Sequence, residues 1–242
     1  PNTVKGYGQI CPLARAAEVL GERWIILILR ALLYDVQSFN SLRKSMTHIS
    51  PTLLSERLKS LESSGMLERV DDNAKVYYRL TEAGIALKPV LMALGEWGAR
   101  FTDSNPDDTK LDIGHILWEL PRRMDLSVFP EEDTVCRFEI DGAAIPVFFL
   151  LANNRYAKIL IRLPKYMDVT STVRFDIGTL ARIWVGERSF DEVEGSGHIE
   201  VDGNRSHWRR VKESLRLNPF AHSAASRIDL EGAPSLSDFH TV

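Results

Sequence analysis

Residues 48–70 read HISPTLLSERLKSLESSGMLERV, and no other stretch restricts the fold as tightly. Ser50 can cap free amides, and Pro51 behind it carries a backbone angle already set for a first helical turn. Leu54, Leu58 and Leu61 recur at helical spacing, and Gly65 supplies a stop. Thr52, Ser55, Glu56, Lys59 and Ser63 occupy the opposite face. A shorter helix precedes it over 39–46, with Phe39, Leu42 and Met46 inward and Arg43 and Lys44 outward. Two short helices, a tight turn and a polar outer face on the second describe a helix-turn-helix, whose second helix can enter a DNA major groove. The plainer alternative is an amphipathic pair that binds nothing.

Residues 66–70 and 76–80 are β-prone runs joined by the turn-forming Asp71-Asp72-Asn73-Ala74-Lys75. A hairpin in this place forms a wing that can reach the minor groove or the phosphates. Lys75 at its tip and Arg69 and Arg79 on its strands suit that task, whereas Asp71 and Asp72 oppose it. Thr52, Ser55, Glu56 and Lys59 are assigned to base edges, and Ser50, Arg43, Lys44 and Arg57 to phosphates. Arg57 has a second reading, an internal pair with Glu62 or Glu56.

Past the hairpin, Leu87, Val90, Leu94, Trp97 and Phe101 alternate three and four apart. So narrow a seam fits a dimerisation helix, the alternative being packing within its own domain. Pro89 should kink that helix or mark its effective start. The polar, acidic run at 103–109 then interrupts every pattern. It separates a DNA-binding and dimerisation domain over 1–103 from a second domain, with a linker at 104–110.

From 111 to 220 the pattern becomes mainly extended. Helical spacing persists through Ile113, Ile116, Leu117 and Leu120 to Pro121. Strand signals come next at 135–140, 145–152, 155–163 and 172–177, with turns at Asp141-Gly142 and Asn153-Asn154. Cys136, Phe138 and Ile140 alternate to one face, as do Val173, Phe175 and Ile177. An antiparallel sheet with one apolar face, covered by helices at 178–186 and 207–217, is expected. The fold class is therefore α+β, with a mostly helical first domain. Trp118, Phe138, Ile140, Phe148, Ile159, Ile161, Phe175 and Trp184 are candidates to line a site for a small hydrophobic ligand. The same residues would equally make a filled core. Residues 221–242, rich in Ser, Ala, Pro and Gly, are expected to form a loose tail.

Two resemblances bear on this reading. The run Cys11-Pro12, Ala16, Leu20-Gly21, Trp24, Leu27, Leu29-Arg30 and Leu32 continues through Phe39, Leu42-Arg43, Ile49-Ser50, Leu54, Arg57-Leu58, Leu61-Glu62, Gly65 and Leu67. It ends with Tyr78, Leu80-Thr81, Gly84 and Trp97. In order and spacing it resembles the HxlR-type branch of winged-helix bacterial regulators over residues 7–103. The resemblance implies a homodimer formed through the 87–101 helix and the N-terminal one. A two-fold dimer would read a palindromic operator, with recognition helices about 34 Å apart. Some such regulators sense oxidants or electrophiles through a cysteine where Cys11 stands; the alternative is a small residue buried in the dimer interface. The family's wing is usually longer and often carries prolines, whereas this one is short and acidic. The second resemblance covers 111–220, most clearly in Asp168-Val169-Thr170, Phe175-Asp176, Thr179-Leu180-Ala181, Trp184, Gly186, Phe190-Asp191, Gly195-Ser196-Gly197, Ile199, Val201 and Gly203-Asn204. It is similar to the sterol-carrier-protein fold, which encloses an apolar tunnel for lipid or other hydrophobic ligands.

Charge looks unfavourable for DNA until it is divided. The whole chain carries −3, but residues 1–103 hold 13 basic and 11 acidic side chains against 17 and 22 beyond. Phosphate binding depends on local placement of Lys and Arg, so a mildly positive first domain is compatible. Two cysteines exclude a disulfide framework, and a reducing cytoplasm fits. The most apolar runs are too short to span a bilayer, so no membrane association is expected. Enzyme motifs fail: Glu200 stands where a dinucleotide fingerprint needs its third glycine, and there is no phosphate loop, H-E-x-x-H or nucleophile elbow. The six histidines lack ligand spacing, so neither metal nor cofactor is expected. The reading is a cytoplasmic, non-enzymatic, DNA-binding regulator. Its rival is a carrier of lipid or acyl ligands, or a scaffold, whose helical domain serves assembly only.

Overall fold

A computed structural model describes residues 6–72, 75–102 and 113–216. The expected linker at 104–110 and tail at 221–242 lie outside them. The chain divides into two compact units, Pro1–Ala93 and Leu94–Val242.

The first unit runs α1 (Pro12–Leu20), α2 (Ile25–Leu33), α3 (Phe39–Ser45), α4 (Pro51–Ser63), β1 (Leu67–Asp72), β2 (Lys75–Leu80) and α5 (Glu82–Ala86). The next helix, α6 (Lys88–Phe101), spans the dividing point. Its second residue is Pro89, so the proline marks a start and causes no kink. Ile25, Ile28 and Leu29 of α2, Leu42 of α3 and Leu54, Leu58 and Leu61 of α4 are all buried. Burial of one such leucine stabilises by about 1.5–3 kcal/mol, so these faces fix how the helices rotate.

The hairpin pairs β1 and β2 antiparallel, from Leu67 opposite Leu80 to Asp72 opposite Lys75. Its strands thus run further toward the tip than the turn residues suggest. The hairpin is fixed at its base. The Tyr78 amide donates to the Gln37 carbonyl at 2.8 Å, and Ser38 bridges Tyr77, tying β2 to the residues that open α3. On the other side the Thr81 hydroxyl donates to the Gly65 carbonyl at 2.6 Å and its amide to the Met66 carbonyl at 3.1 Å.

The second unit holds α7 (Gly114–Glu119), two turns of 3₁₀ helix (Leu120–Arg122 and Leu126–Val128), β3 (Thr134–Asp141), β4 (Val147–Ala152), β5 (Ala157–Leu160) and β6 (Ser171–Asp176). It continues with α8 (Ile177–Val185), α9 (Phe190–Gly195), β7 (Glu200–Gly203) and α10 (Arg205–Ser214). The strands order as β5-β4-β3-β6-β7. The α+β class holds, but the sheet is not wholly antiparallel. β6 lies parallel to β3, Cys136 opposite Ser171 and Ile140 opposite Phe175. Residues 161–170 bring the chain from the β5 edge past the sheet's middle, and a parallel neighbour cannot be reached by a tight turn. The short β7 and α9 are also absent from the sequence-based expectation. One sheet face carries Cys136, Phe138, Ile140, Phe148, Leu150, Val173 and Phe175 into a single buried cluster with α7, α8 and α10. The other holds a smaller apolar strip of Val135, Phe149 and Leu151 beside a charged network.

Gly84 explains one element of the family-like pattern. A Cβ there would collide with the Met66 carbonyl oxygen and stand 2.9 Å from Leu80 Cδ2. The obstruction is backbone, which cannot swing aside. Gly84→Ala should therefore cost about 3 kcal/mol or more, read as a fall in the denaturation midpoint of the first unit. An unchanged midpoint would show that the α5–hairpin contact is looser than described.

Candidate nucleic-acid interface

The capping expected of α4 is present at both ends. The Ser50 hydroxyl accepts the Leu53 amide at 3.2 Å, with Pro51 in the first turn. At the far end Gly65 takes φ +74, the Met66 amide reaches the Leu61 carbonyl at 2.9 Å, and the Gly65 amide reaches Glu62 at 3.0 Å. This Schellman arrangement satisfies carbonyls that the helix leaves open. With Leu54, Leu58 and Leu61 inward, Thr52, Glu56 and Lys59 are exposed and Ser55 is half-buried. Arg43 and Lys44 are exposed in the last turn of α3, whose own start is capped by Ser38. Between the helices, Met46 and Ile49 are buried and close the turn. The Ser50 side chain is committed to the cap, so it meets a phosphate only with its remaining hydrogen-bond capacity.

Arg57 has an internal pair, but not with the expected Glu62 or Glu56. Its guanidinium pairs with Glu22 and its Nε donates to the Arg23 carbonyl at 3.1 Å. It faces the α1–α2 connection and is half-buried there, so its work is holding α4 against Glu22–Trp24. Helical spacing offers Glu62 or Glu56 for an internal pair. The partner found instead is 35 residues away in sequence, beyond the reach of such spacing. Trp24 in that connection has φ +82, a strained setting for a bulky residue, and Arg57 anchors the carbonyl just before it.

The wing is electrically quieter than its cations suggest. Arg69 pairs with Asp71 at 2.8 Å and Arg79 with Glu68 at 2.6 Å. Lys75 is exposed directly across from Asp72. These pairs are solvent-exposed, so a stronger anion could exchange with the carboxylates at little cost.

Of the expected dimerisation residues, Val90, Leu94 and Trp97 are exposed along α6, Trp97 by 55%. Phe101 is half-buried, its ring centroid 6.1 Å from that of Trp97. Leu87 is half-buried and caps α5. In α1 no residue is buried; its Leu13 is 77% exposed and Ile10 just before it 99%. Cys11, at the N-cap of α1, is an exposed free thiol. Cys136 is the opposite case: burial pushes its thiol up to about 12.

The expected ligand residues of the second unit stand mainly in contact with one another. Phe138, Ile140, Phe148, Phe175 and Trp184 belong to its buried cluster, and Ile159 packs against it. Phe138 stacks on Phe148 at 4.9 Å and meets Phe175 edge-on at 6.3 Å. Trp118 carries the Arg122 guanidinium 3.8 Å above its ring, and Ile161 is exposed. Ile140 and Phe175 also line a pocket of about 640 Å³, whose other walls include Arg137, Glu139, Arg174 and His198. In that charged wall Arg174 donates to Glu139 at 2.6 Å and pairs with Asp202. Hydrogen bonding from Arg174 holds the Glu139 carboxyl below the usual range against a smaller desolvation effect. No group of His, Cys, Asp and Glu among the described residues could hold a metal ion, and no described helix is long and apolar enough to cross a membrane.

Comparison with known proteins points to the same half of the chain. The family model of HxlR-like helix-turn-helix proteins matches residues 19–106. The uncharacterised HTH-type transcriptional regulator YvaP of Bacillus subtilis is 33% identical over 99 residues, 39% of this chain and 92% of that protein. The HTH-type transcriptional regulator YodB of the same organism is 36% identical over 104 residues, 41% of this chain and 91% of that protein. The solved reduced form of YodB from B. subtilis matches 40% of this chain and 100% of that one, at 34% identity and a TM-score of 0.36. YodB has also been solved with quinone bound.

The placement of Arg57 has a measurable consequence. Arg57→Ala should lower stability by about 1–2 kcal/mol through loss of a charge-assisted pair. Arg57→Lys should restore only part of it, since an ammonium cannot reproduce the guanidinium fork. The salt slope of DNA binding should stay at the wild-type value. A reduced slope with unchanged stability would return Arg57 to the phosphate contacts.

Proposed function

The chain belongs to the HxlR-like helix-turn-helix family, its membership carried by the N-terminal hundred residues, and from that premise we propose a sequence-specific transcription regulator acting as a homodimer on a palindromic operator. The observation that carries this reading is the outer face of α4. Thr52, Glu56 and Lys59 stand exposed on a helix capped at both ends and locked in rotation by three buried leucines. Such a helix presents side chains to base edges with no ordering cost of its own at the moment of binding. Arg43 and Lys44 flank it as phosphate contacts, and Lys75 extends the footprint along the wing. With most wing cations paired to carboxylates, specificity rests on the α4 face more than on the general field of the domain.

Lys59→Ala separates the two possible roles of that side chain. If Lys59 reads a base, operator affinity falls by about 1–3 kcal/mol while a scrambled duplex is unaffected. If it meets phosphate, both duplexes weaken alike and the salt slope drops by about one. Equal binding of variant and wild type to both duplexes at every salt would remove α4 from the interface.

A second copy is the proposed cover for the apolar residues left open on α1 and α6. A nine-residue helix with no buried side chain lies below the length that is stable alone in water, so α1 needs a neighbour. YodB, solved with quinone bound, is similar to this chain, and Cys11 is exposed at the α1 N-cap, so in this reading oxidants or electrophiles act on the dimer through Cys11. Ligand control through the second unit is the other half of the proposal. A small hydrophobic ligand would gain contact where Ile140 and Phe175 reach the pocket, since Phe138, Phe148 and Trp184 lie in the buried cluster and Ile159 packs against it. The sterol-carrier-like reading of 111–220 is kept on that basis, supported by helices covering one face of the sheet. Two variants test the assembly: Trp97→Glu should lower the solution mass to a monomer's and weaken operator binding roughly tenfold or more. Cys11→Ser should assemble and bind like wild type but lose any response to oxidant. A Trp97→Glu dimer, or equal oxidant responses, would sink the corresponding claim.

A further inference from the structure

A smaller pocket in the second unit is foreshadowed by no motif. It measures about 180 Å³ and is lined by Thr179, Arg182, Arg188, Val193, Ser196 and His198. Two arginines and a histidine are among its lining residues, and no Asp or Glu is.

Local chain geometry explains why these residues meet. Gly186 ends α8 with φ +85, and the amides of Glu187 and Arg188 both return to the Arg182 carbonyl, at 2.9 and 3.3 Å. The chain therefore doubles back and sets Arg188 beside the last turn of α8. Ser189 then opens α9 with a capping box, its hydroxyl accepting the Glu192 amide while its own amide donates to the Glu192 carboxylate at 2.8 Å. After α9, Gly197 takes φ +76 and the His198 amide donates to the Val193 carbonyl at 3.0 Å, which returns His198 toward α9.

The hydrogen-bond inventory leaves the pocket short of an acceptor. The Ser196 hydroxyl lies 3.1 Å from the Val193 carbonyl and 2.8 Å from His198 Nδ1. Donated to Nδ1, its proton leaves the ring's hydrogen on Nε2, a donor for an acceptor in the pocket. Thr179 is already engaged, its amide and hydroxyl both donating to Asp176, at 2.8 and 2.6 Å. Glu192 feels the charge of Arg188, but its carboxylate is held below the usual range chiefly by the Ser189 bonds, and it does not line the pocket. Arg182 and Arg188 have no ion-pair partner within 4 Å among the described residues. Other cations of the unit do have carboxylate partners, Arg174 with Glu139 and Asp202, and Lys212 with Asp191 and Glu194, in a region whose carboxylates outnumber its cations 22 to 17 over residues 104–242.

We propose that this pocket binds the oxyanion of a small molecule, a phosphate or a carboxylate, gripped by Arg182 and Arg188 and completed by His198. Planar guanidinium groups suit such oxyanions because two parallel N–H donors match two oxygens. His198 also lines the 640 Å³ pocket, which Ile140, Val147 and Phe175 share. An effector with an anionic head at the arginines thus has space for its body beyond His198. The assignment is independent of DNA binding and stands or falls on direct ligand measurements.

The test is calorimetric titration of the full chain with inorganic phosphate and, separately, with succinate, ionic strength being held constant with sodium chloride. Saturable binding of one equivalent is expected for at least one of them. Saturation by phosphate alone identifies a phosphoryl head, by succinate alone a carboxylate, and by both a general oxyanion site. The Arg182→Ala/Arg188→Ala double variant should weaken binding roughly tenfold or more, whereas Arg209→Ala, exposed and paired with Glu213, should not. Both pocket arginines are exposed, so the variant should fold. Should it not, the double lysine variant keeps the charge and is expected to bind with intermediate affinity. Absence of saturation by either anion overturns the proposal, as does a folded double variant that binds like wild type.

Discussion

The rotation of α4 about its own axis is the constraint on which the first unit's surface depends. Leu54, Leu58 and Leu61 leave no other orientation that keeps them from water, and removing one would cost about 2–5 kcal/mol. Once that face is fixed, Thr52, Glu56 and Lys59 must point outward, and the Arg57 between them must point sideways. Arg57 finds Glu22 and the Arg23 carbonyl there, so a cation that a helical wheel would assign to a ligand becomes a strut. The hairpin depends on the same helix, because the Schellman turn at Gly65 delivers the chain to β1.

The second unit is organised by an analogous decision about faces, made by a sheet. Alternation sends Phe138, Ile140, Phe148, Val173 and Phe175 to one side, where rings stack upon each other and helices close over them. Arg137, Glu139 and Arg174 are sent to the other, where they form a charged network. The two pockets have mixed charged and apolar linings, while most of the unit's aromatic rings hold its core together.

What could be read from the sequence was what neighbours in sequence decide. Ser50-Pro51, the leucine spacing and Gly65 encode α4 within sixteen residues, and the structure agrees with them nearly residue for residue. The wing and the stretch of α6 were legible for the same reason, as was the exposure of Val90, Leu94 and Trp97. Pairings across long separations were not. The parallel match of β6 with β3 depends on a crossover, β7 is only four residues long, and Arg57 meets a partner from the α1–α2 connection. Alternating aromatic residues look identical whether they surround a cavity or fill it. The Arg182–Arg188–His198 grouping arises from two glycine-dependent reversals, Gly186 and Gly197, which carry no periodic signal.

The absence of any buried residue in α1 has a consequence for how such a regulator responds to its own abundance. In the proposed homodimer such a helix would gain order from association, so its folding and the pairing of chains would form one equilibrium. Below the dissociation constant of that equilibrium the active species grows with the square of chain concentration, and above it in simple proportion. Gene dosage and dilution on cell growth would then both act on the same threshold. The amount of regulator would become a signal in its own right.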